Sequence, residues 1–149
     1  AELLRTPHAG ELAGPDSVRA CVDVLGADRI QHGIRAAEDP ALLEMLAERY
    51  VCLDVCPTSN IVLGSVSAYD QHPLPVLLDS GVRVSLNADD PVMFGCDILS
   101  EYELCRDRFE LTDDQLARIA RDSMLASAAP ASAVEAALAD IDAWRTSAG

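Results

Sequence analysis

Basic side chains and histidines are both scarce in this chain of 149 residues. Eleven Lys and Arg stand against 25 Asp and Glu, for a formal charge of −14, and the only imidazoles are His8, His32 and His72. A field of that sign repels a phosphate backbone or an anionic membrane surface, so neither nucleic acid nor a membrane is an expected partner. Three imidazoles also limit any metal site built from this chain alone. No secretory leader pattern or apolar run of spanning length occurs, and the five cysteines, at 21, 52, 56, 96 and 105, are odd in number and scattered. The expectation is therefore a reducing cytoplasm rather than a disulfide framework. Glycine-rich strand-to-helix loops of the dinucleotide or P-loop type are missing, which weakens a phosphate-binding reading. What is present is a chain of one-domain size with 50% hydrophobic residues, enough to build a packed core.

Short apolar runs alternate with polar or Gly/Pro loops and then helix-like stretches, the pattern of βα units. Four units are expected. A strand over 2–7 delivers His8-Ala9-Gly10-Glu11, and a helix capped by Asp16 or Ser17 follows over Val18, Cys21, Val22 and Leu25, ended by Gly26. A strand over 28–31 delivers His32-Gly33, and Asp39 before Pro40 opens a helix with Leu42, Leu43, Leu46 and Ala47 on its buried stripe. A third strand over 50–55 alternates Val51, Leu53 and Val55 with Cys52, Asp54 and Cys56, then breaks at Pro57 into the loop Cys56-Pro57-Thr58-Ser59-Asn60. A helix over 73–80 and a strand over 82–86 deliver Asn87-Ala88-Asp89-Asp90-Pro91. Helices are expected over 98–108, over 112–128 behind the capping box Thr112 to Gln115, and from 131 to about 144. The division is thus four βα units over 1–96 and helices over 97–149.

Strands alternating with helices at this spacing imply a parallel sheet, whose ligands and catalytic groups gather at the carboxyl ends of the strands. His8, Glu11, His32, Asp89 and Asp90 then share one rim. A neutral imidazole and a carboxylate are zinc-type donors, and a second carboxylate held nearby can move protons, so the chemistry expected of the rim is hydrolysis at an electrophilic carbon. Each residue has a plainer reading: a strand-end histidine and a solvated acid for His8 and Glu11, a satisfied core histidine for His32, a capping pair before Pro91 for Asp89 and Asp90. Cys52 and Cys56 read as small buried residues, and Asp54 on their face needs a hydrogen-bond partner. Ser59 and Asn60 either bind substrate or shape the turn. His72, ahead of Pro73, reads as a surface or capping residue.

The four strand-exit motifs His8-Ala9-Gly10-Glu11, Arg29-Ile30-Gln31-His32-Gly33, Cys56-Pro57-Thr58-Ser59-Asn60 and Ser85-Leu86-Asn87-Ala88-Asp89-Asp90-Pro91 resemble, in order and spacing, those of the adenosine deaminases and related aminopurine deaminases. The resemblance spans about 3–96. It implies an α/β fold, the carboxyl-terminal half (strands five to eight) of a TIM-like (β/α)8 barrel followed by C-terminal helices. It implies zinc as cofactor with His8 and Asp89 as ligands, Glu11 as proton donor to the purine ring, and His32 orienting and helping to deprotonate the water. It also implies that Asp90 and Gly10 contact the purine. The expected reaction is hydrolytic deamination of adenosine or a related 6-aminopurine, with adenine or another aminopurine nucleoside as the alternative substrate. The His-x-Glu and Pro-Cys-x-x-Cys signature of cytidine-type zinc deaminases is lacking.

The resemblance also implies what is missing. A full barrel needs eight strands and about 250 residues, and a His-x-His pair on the first strand would supply two more zinc ligands. Two donors fall short of the three protein ligands a zinc site normally has. The chain opens on Ala1 in what reads as a strand, so the expectation is that an N-terminal half, on the same polypeptide or a partner chain, completes the barrel. The alternative from another class is a catalytically silent fragment or subunit.

Overall fold

The computed structural model describes residues 3–147. Its centre is a four-stranded, all-parallel sheet in the order β1-β2-β3-β4, with β1 His8–Ala9, β2 Arg29–His32, β3 Cys52–Val55 and β4 Arg83–Leu86. Helices α1 (Pro15–Asp23), α2 (Pro40–Glu48) and α4 (Leu74–Asp79) fill the crossovers, and α3 (Pro57–Val62) and α5 (Pro91–Phe94) open the loops after β3 and β4. Helices α6 (Ile98–Arg108), α7 (Asp113–Leu125) and α8 (Ala131–Ser147) follow. No helix among the described residues is long and apolar enough to cross a membrane.

The register explains how the sheet sorts its side chains. His8 pairs with Gln31, Gln31 with Asp54 and Asp54 with Ser85, so these four lie in one row on one face. Ile30, Leu53, Val55, Val84 and Leu86 point to the other face and join Val18, Leu42, Leu46, Leu74 and Leu77 of the crossover helices in a dry core. Each such side chain contributes roughly 1.5–3 kcal/mol on burial. On the polar face Asp54 is held by Arg29, whose Nε lies 3.1 Å from both carboxylate oxygens, by Gln31 Nε2 at 2.7 Å and by Ser85 Oγ at 2.6 Å. That network is the partner the buried Asp54 required.

Several elements begin elsewhere than the sequence pattern suggests. The first strand is not 2–7: it starts at His8, and Glu2 lies outside the described residues. The stretch before it still runs beside β2, because the Arg5 carbonyl accepts from Asp28 and Arg29 and the Pro7 carbonyl from Gln31. Neither Asp16 nor Ser17 caps α1. Gly14 is its N-cap, Pro15 takes the first turn, and Leu25 lies beyond the helix, 53% exposed. The loop 56–60 is instead the first turns of α3, since Pro57 at the first helical position is set to start a helix rather than end one. The opening of α2 agrees with the pattern: the Asp39 carboxylate accepts from Ala41 and Leu42. So does the capping box of α7, with Thr112 and Gln115 exchanging hydrogen bonds.

Helix α7 closes the far side of β4. Leu116 and Ile119 join the core, and the Arg118 guanidinium donates to the carbonyls of Leu78 and Val82 at 3.0 and 3.3 Å. Helix α8 leans on α7 through Arg121–Asp142 and Arg145–Asp114 pairs and buries no residue fully.

Candidate active site

The β1 exit is a loop tied down on both sides. Gly10 N–H donates to Ser17 Oγ at 2.9 Å, and that hydroxyl donates to the Gly14 carbonyl at 2.7 Å. The Gly10 carbonyl accepts from Arg35 N at 2.8 Å, and the Ala9 carbonyl accepts from Gly33 N at 2.9 Å. The β1 and β2 exits are thus stitched together through backbone. Gly10 and Gly33 both have positive φ, and a Cβ on Gly10 would sit 2.4 Å from Val18 Cγ2 and 3.1 Å from Gly33 Cα. Only glycine lets these two loops approach so closely.

At the end of β2, His32 takes φ 63°, a left-handed conformation rare for a residue with a side chain. Its ring is 3% exposed, and the Nε2 edge faces Glu11 Oε2 at 3.7 Å and Asp89 Oδ2 at 4.0 Å. The His8 ring lies against it, centroids 5.5 Å apart. Asp89 shares the left-handed backbone, φ 57°, and Ser59 Oγ donates to its Oδ2 at 2.7 Å. The chain therefore carries two strained, non-glycine residues at the rim, and both aim polar groups at the same place.

The five rim residues do not all behave alike. His8, Glu11, His32 and Asp89 converge. Asp90 sits at the rim but spends Oδ1 on Met93 N–H at 2.8 Å as N-cap of α5, the capping role open to it from sequence. His72 corrects the surface reading: it is 4% exposed, its Nδ1 caps Leu74 N–H at 3.1 Å, and its Nε2 lies 3.1 Å from Asn60 Oδ1. Burial pushes its pKa down to about 4. Asn60 Nδ2 in turn lies 3.3 Å from His32 Nδ1. Ser59 and Asn60 are both buried on α3 and act through hydrogen bonds to Asp89 and the two histidines.

Two supports escaped the sequence reading. Ser17 reads in sequence, with Asp16, as a candidate helix cap, and its bond to Gly10 arises because α1 folds back on the loop. Glu101 of α6 is fully buried, and its Oε2 accepts from Thr58 N at 3.2 Å at the start of α3. Nothing in a helix sequence marks one glutamate among exposed neighbours for that duty. The buried cysteines stay chemically quiet: burial pushes the Cys52 thiol up to about 12 and raises Cys56 further, so neither offers a thiolate at neutral pH.

The donor types suit zinc, but their number does not complete a site. Among the described residues no group of three or more His, Cys, Asp and Glu side chains is placed to hold a metal ion. His8 and Asp89 lie about the His32 ring as an imidazole and a carboxylate, donors of the kinds zinc takes but fewer than the three its sites normally have.

Against known families, the adenosine deaminase profile matches residues 1–144. The chain belongs to the adenosine deaminase family. Within it, the chain is 49% identical over 144 residues to a provisionally named adenosine/adenine deaminase of Streptomyces virginiae, covering 97% of this chain and 42% of that protein. It is 42% identical over 144 residues to the aminodeoxyfutalosine deaminase of Streptomyces avermitilis, covering 97% of this chain and 40% of that one. Among solved structures, an adenine deaminase from Arthrobacter aurescens superposes with a TM-score of 0.92 at 34% identity, covering 97% of this chain and 44% of that chain. The chain thus spans about two-fifths of the length of these deaminase relatives, and its four βα units are part of a barrel.

Proposed function

We propose that this chain supplies half of the active site of a zinc-dependent deaminase of 6-aminopurines, converting the C6 amino group to a carbonyl with release of ammonia in the cytoplasm. The observation that carries the reading is the convergence of His8 and Glu11 from the β1 exit and Asp89 from the β4 exit on the buried His32 ring at the end of β2. The five free thiols suit a reducing compartment.

The roles follow from placement. His8 and Asp89 would hold zinc together with ligands from the rest of the barrel, and the metal when bound supplies a Lewis acid and a water acidic enough to react near neutral pH. Glu11, partly sheltered at 19% exposure, would pass a proton to the purine ring nitrogen next to the attacked carbon. His32, held rigid by burial, orients the reacting groups. Asp90 keeps one carboxylate oxygen for α5; the other would meet the imidazole-ring nitrogen of the purine, and the Gly10 backbone would contact the purine from the β1 exit. With two zinc-type donors, the 149 residues alone are catalytically silent.

The relatives act on adenine, adenosine or aminodeoxyfutalosine by name, which share the 6-aminopurine and differ beyond it. The substrate class proposed here is accordingly the 6-aminopurine itself, with adenosine first and adenine as the alternative. The test is ammonia release from adenosine, deoxyadenosine, adenine and aminodeoxyfutalosine by a polypeptide carrying the complete barrel. Glu11→Gln is expected to cut kcat by about 10²–10⁴-fold with zinc content unchanged. Release of ammonia from none of the four rejects the reading, and full turnover in the Glu11 variant removes that residue from the mechanism.

A further inference from the structure

The hydrogen-bond chain behind His32 has a direction, and that direction starts from a group with no choice. Leu74 N–H donates to His72 Nδ1 at 3.1 Å. A backbone amide can only donate, so His72 Nδ1 holds a lone pair and its ring proton sits on Nε2. Nε2–H then donates to Asn60 Oδ1 at 3.1 Å, which orients the amide. The amide nitrogen, a donor only, faces His32 Nδ1 at 3.3 Å and leaves that nitrogen to accept. The links are sealed from water: His72 is 4%, Asn60 0% and His32 3% exposed. Burial that lowers the His72 pKa to about 4 keeps the starting imidazole neutral at pH 7.

We infer that Asn60 and His72 are positioning residues that fix the tautomer of His32, keeping its ring proton on Nε2, the nitrogen turned to the reaction cleft. Nε2, on the opposite edge of the ring, faces Glu11 Oε2 at 3.7 Å and Asp89 Oδ2 at 4.0 Å. The catalytic consequence rests on the deaminase reading above. His32 meets the cleft as a hydrogen-bond donor, so it orients an oxygen by donating to it. The help with deprotonating water that the family resemblance assigns to His32 is thereby replaced by orientation alone.

The experiment is 15N NMR of histidine side chains in the polypeptide carrying the complete barrel, with His32 assigned by the loss of its signals in His32→Gln. The wild-type protein is expected to show His32 Nδ1 unprotonated and Nε2 protonated. Asn60→Asp keeps the shape but exchanges the donor for an acceptor, so Nδ1 is expected to gain the proton. Ammonia release should then fall by at least about tenfold in kcat with KM little changed, the signature of a group aligned for the transition state. Wild-type His32 with a proton on Nδ1 overturns the inference even if no variant folds, as does a folded Asn60→Asp protein whose Nδ1 stays bare. The two readings fail separately: the stated tautomer in a protein that deaminates nothing keeps the relay and rejects the deaminase, while turnover with the opposite tautomer does the reverse.

Discussion

The two faces of the sheet are built from the same four strands by opposite means. One face is apolar and rests on helices through Ile30, Leu53, Val55, Val84 and Leu86. The other carries the row His8, Gln31, Asp54 and Ser85, with Arg29 folded over Asp54, and is held by directional bonds. Apolar packing tolerates many arrangements of similar volume, whereas a buried carboxylate with an arginine and two further donors tolerates few. The apolar face makes the strands a sheet, and the polar face sets where the strand ends and their functional groups point.

Unequal substitutions test that division, measured as denaturant midpoints in a polypeptide carrying the complete barrel. Asp54→Ala strands Arg29 in the interior and is expected to cost about 4 kcal/mol, while Leu46→Ala removes only apolar contact behind the sheet and is expected to cost about 3 kcal/mol. The sharper contrast is in the site: the Leu46 variant should keep its kcat, and the Asp54 variant should lose it together with stability. Equal loss of kcat in both collapses the distinction between the faces.

The next effect is a pH dependence. His72 has a folded pKa of about 4 against the ordinary 6.5, so below pH 6.5 the unfolded chain takes up a proton that the folded one refuses. Its contribution to stability is therefore complete above pH 6.5 and declines as the pH falls toward 4, by about 3 kcal/mol over that window. His72→Gln should remove this slope from the stability profile; a wild-type slope no steeper than the variant's refutes a neutral, buried His72. The smallest effect belongs to Ser17→Ala, which leaves Gly10 N–H without its acceptor. It should cost about 1 kcal/mol and speed amide exchange at Gly10, and exchange unaltered would show that Ser17 does not hold the loop.

Most of the scaffold was legible because its signals are local. Asp39-Pro40, Thr112 to Gln115 and the leucine stripe of α2 each declare a helix within a few residues. The polar strand exits at His8, His32 and Asp89 were visible once four βα units were counted. Contacts between units were not. His72 and Asn60 are twelve residues apart in sequence and meet only because α3 packs beside the start of α4. Loop 56–60 was misread because a proline that ends a strand is also the best residue to begin a helix. The start of β1 was displaced because Arg5 and Pro7 follow β2 through carbonyl bonds without joining the ladder itself.

The contact between Gly10 and Gly33 carries an evolutionary consequence. A side chain on Gly10 would run into Val18 Cγ2 at 2.4 Å and press on Gly33 Cα at 3.1 Å, and one on Gly33 would run into Leu53 Cδ2 at 2.6 Å, so neither position is open to drift without moving a loop that carries Glu11 or His32. Changes in what this rim accommodates are therefore easier in the walls around it than in the two turns that set the 3.7 Å spacing of Glu11 and His32.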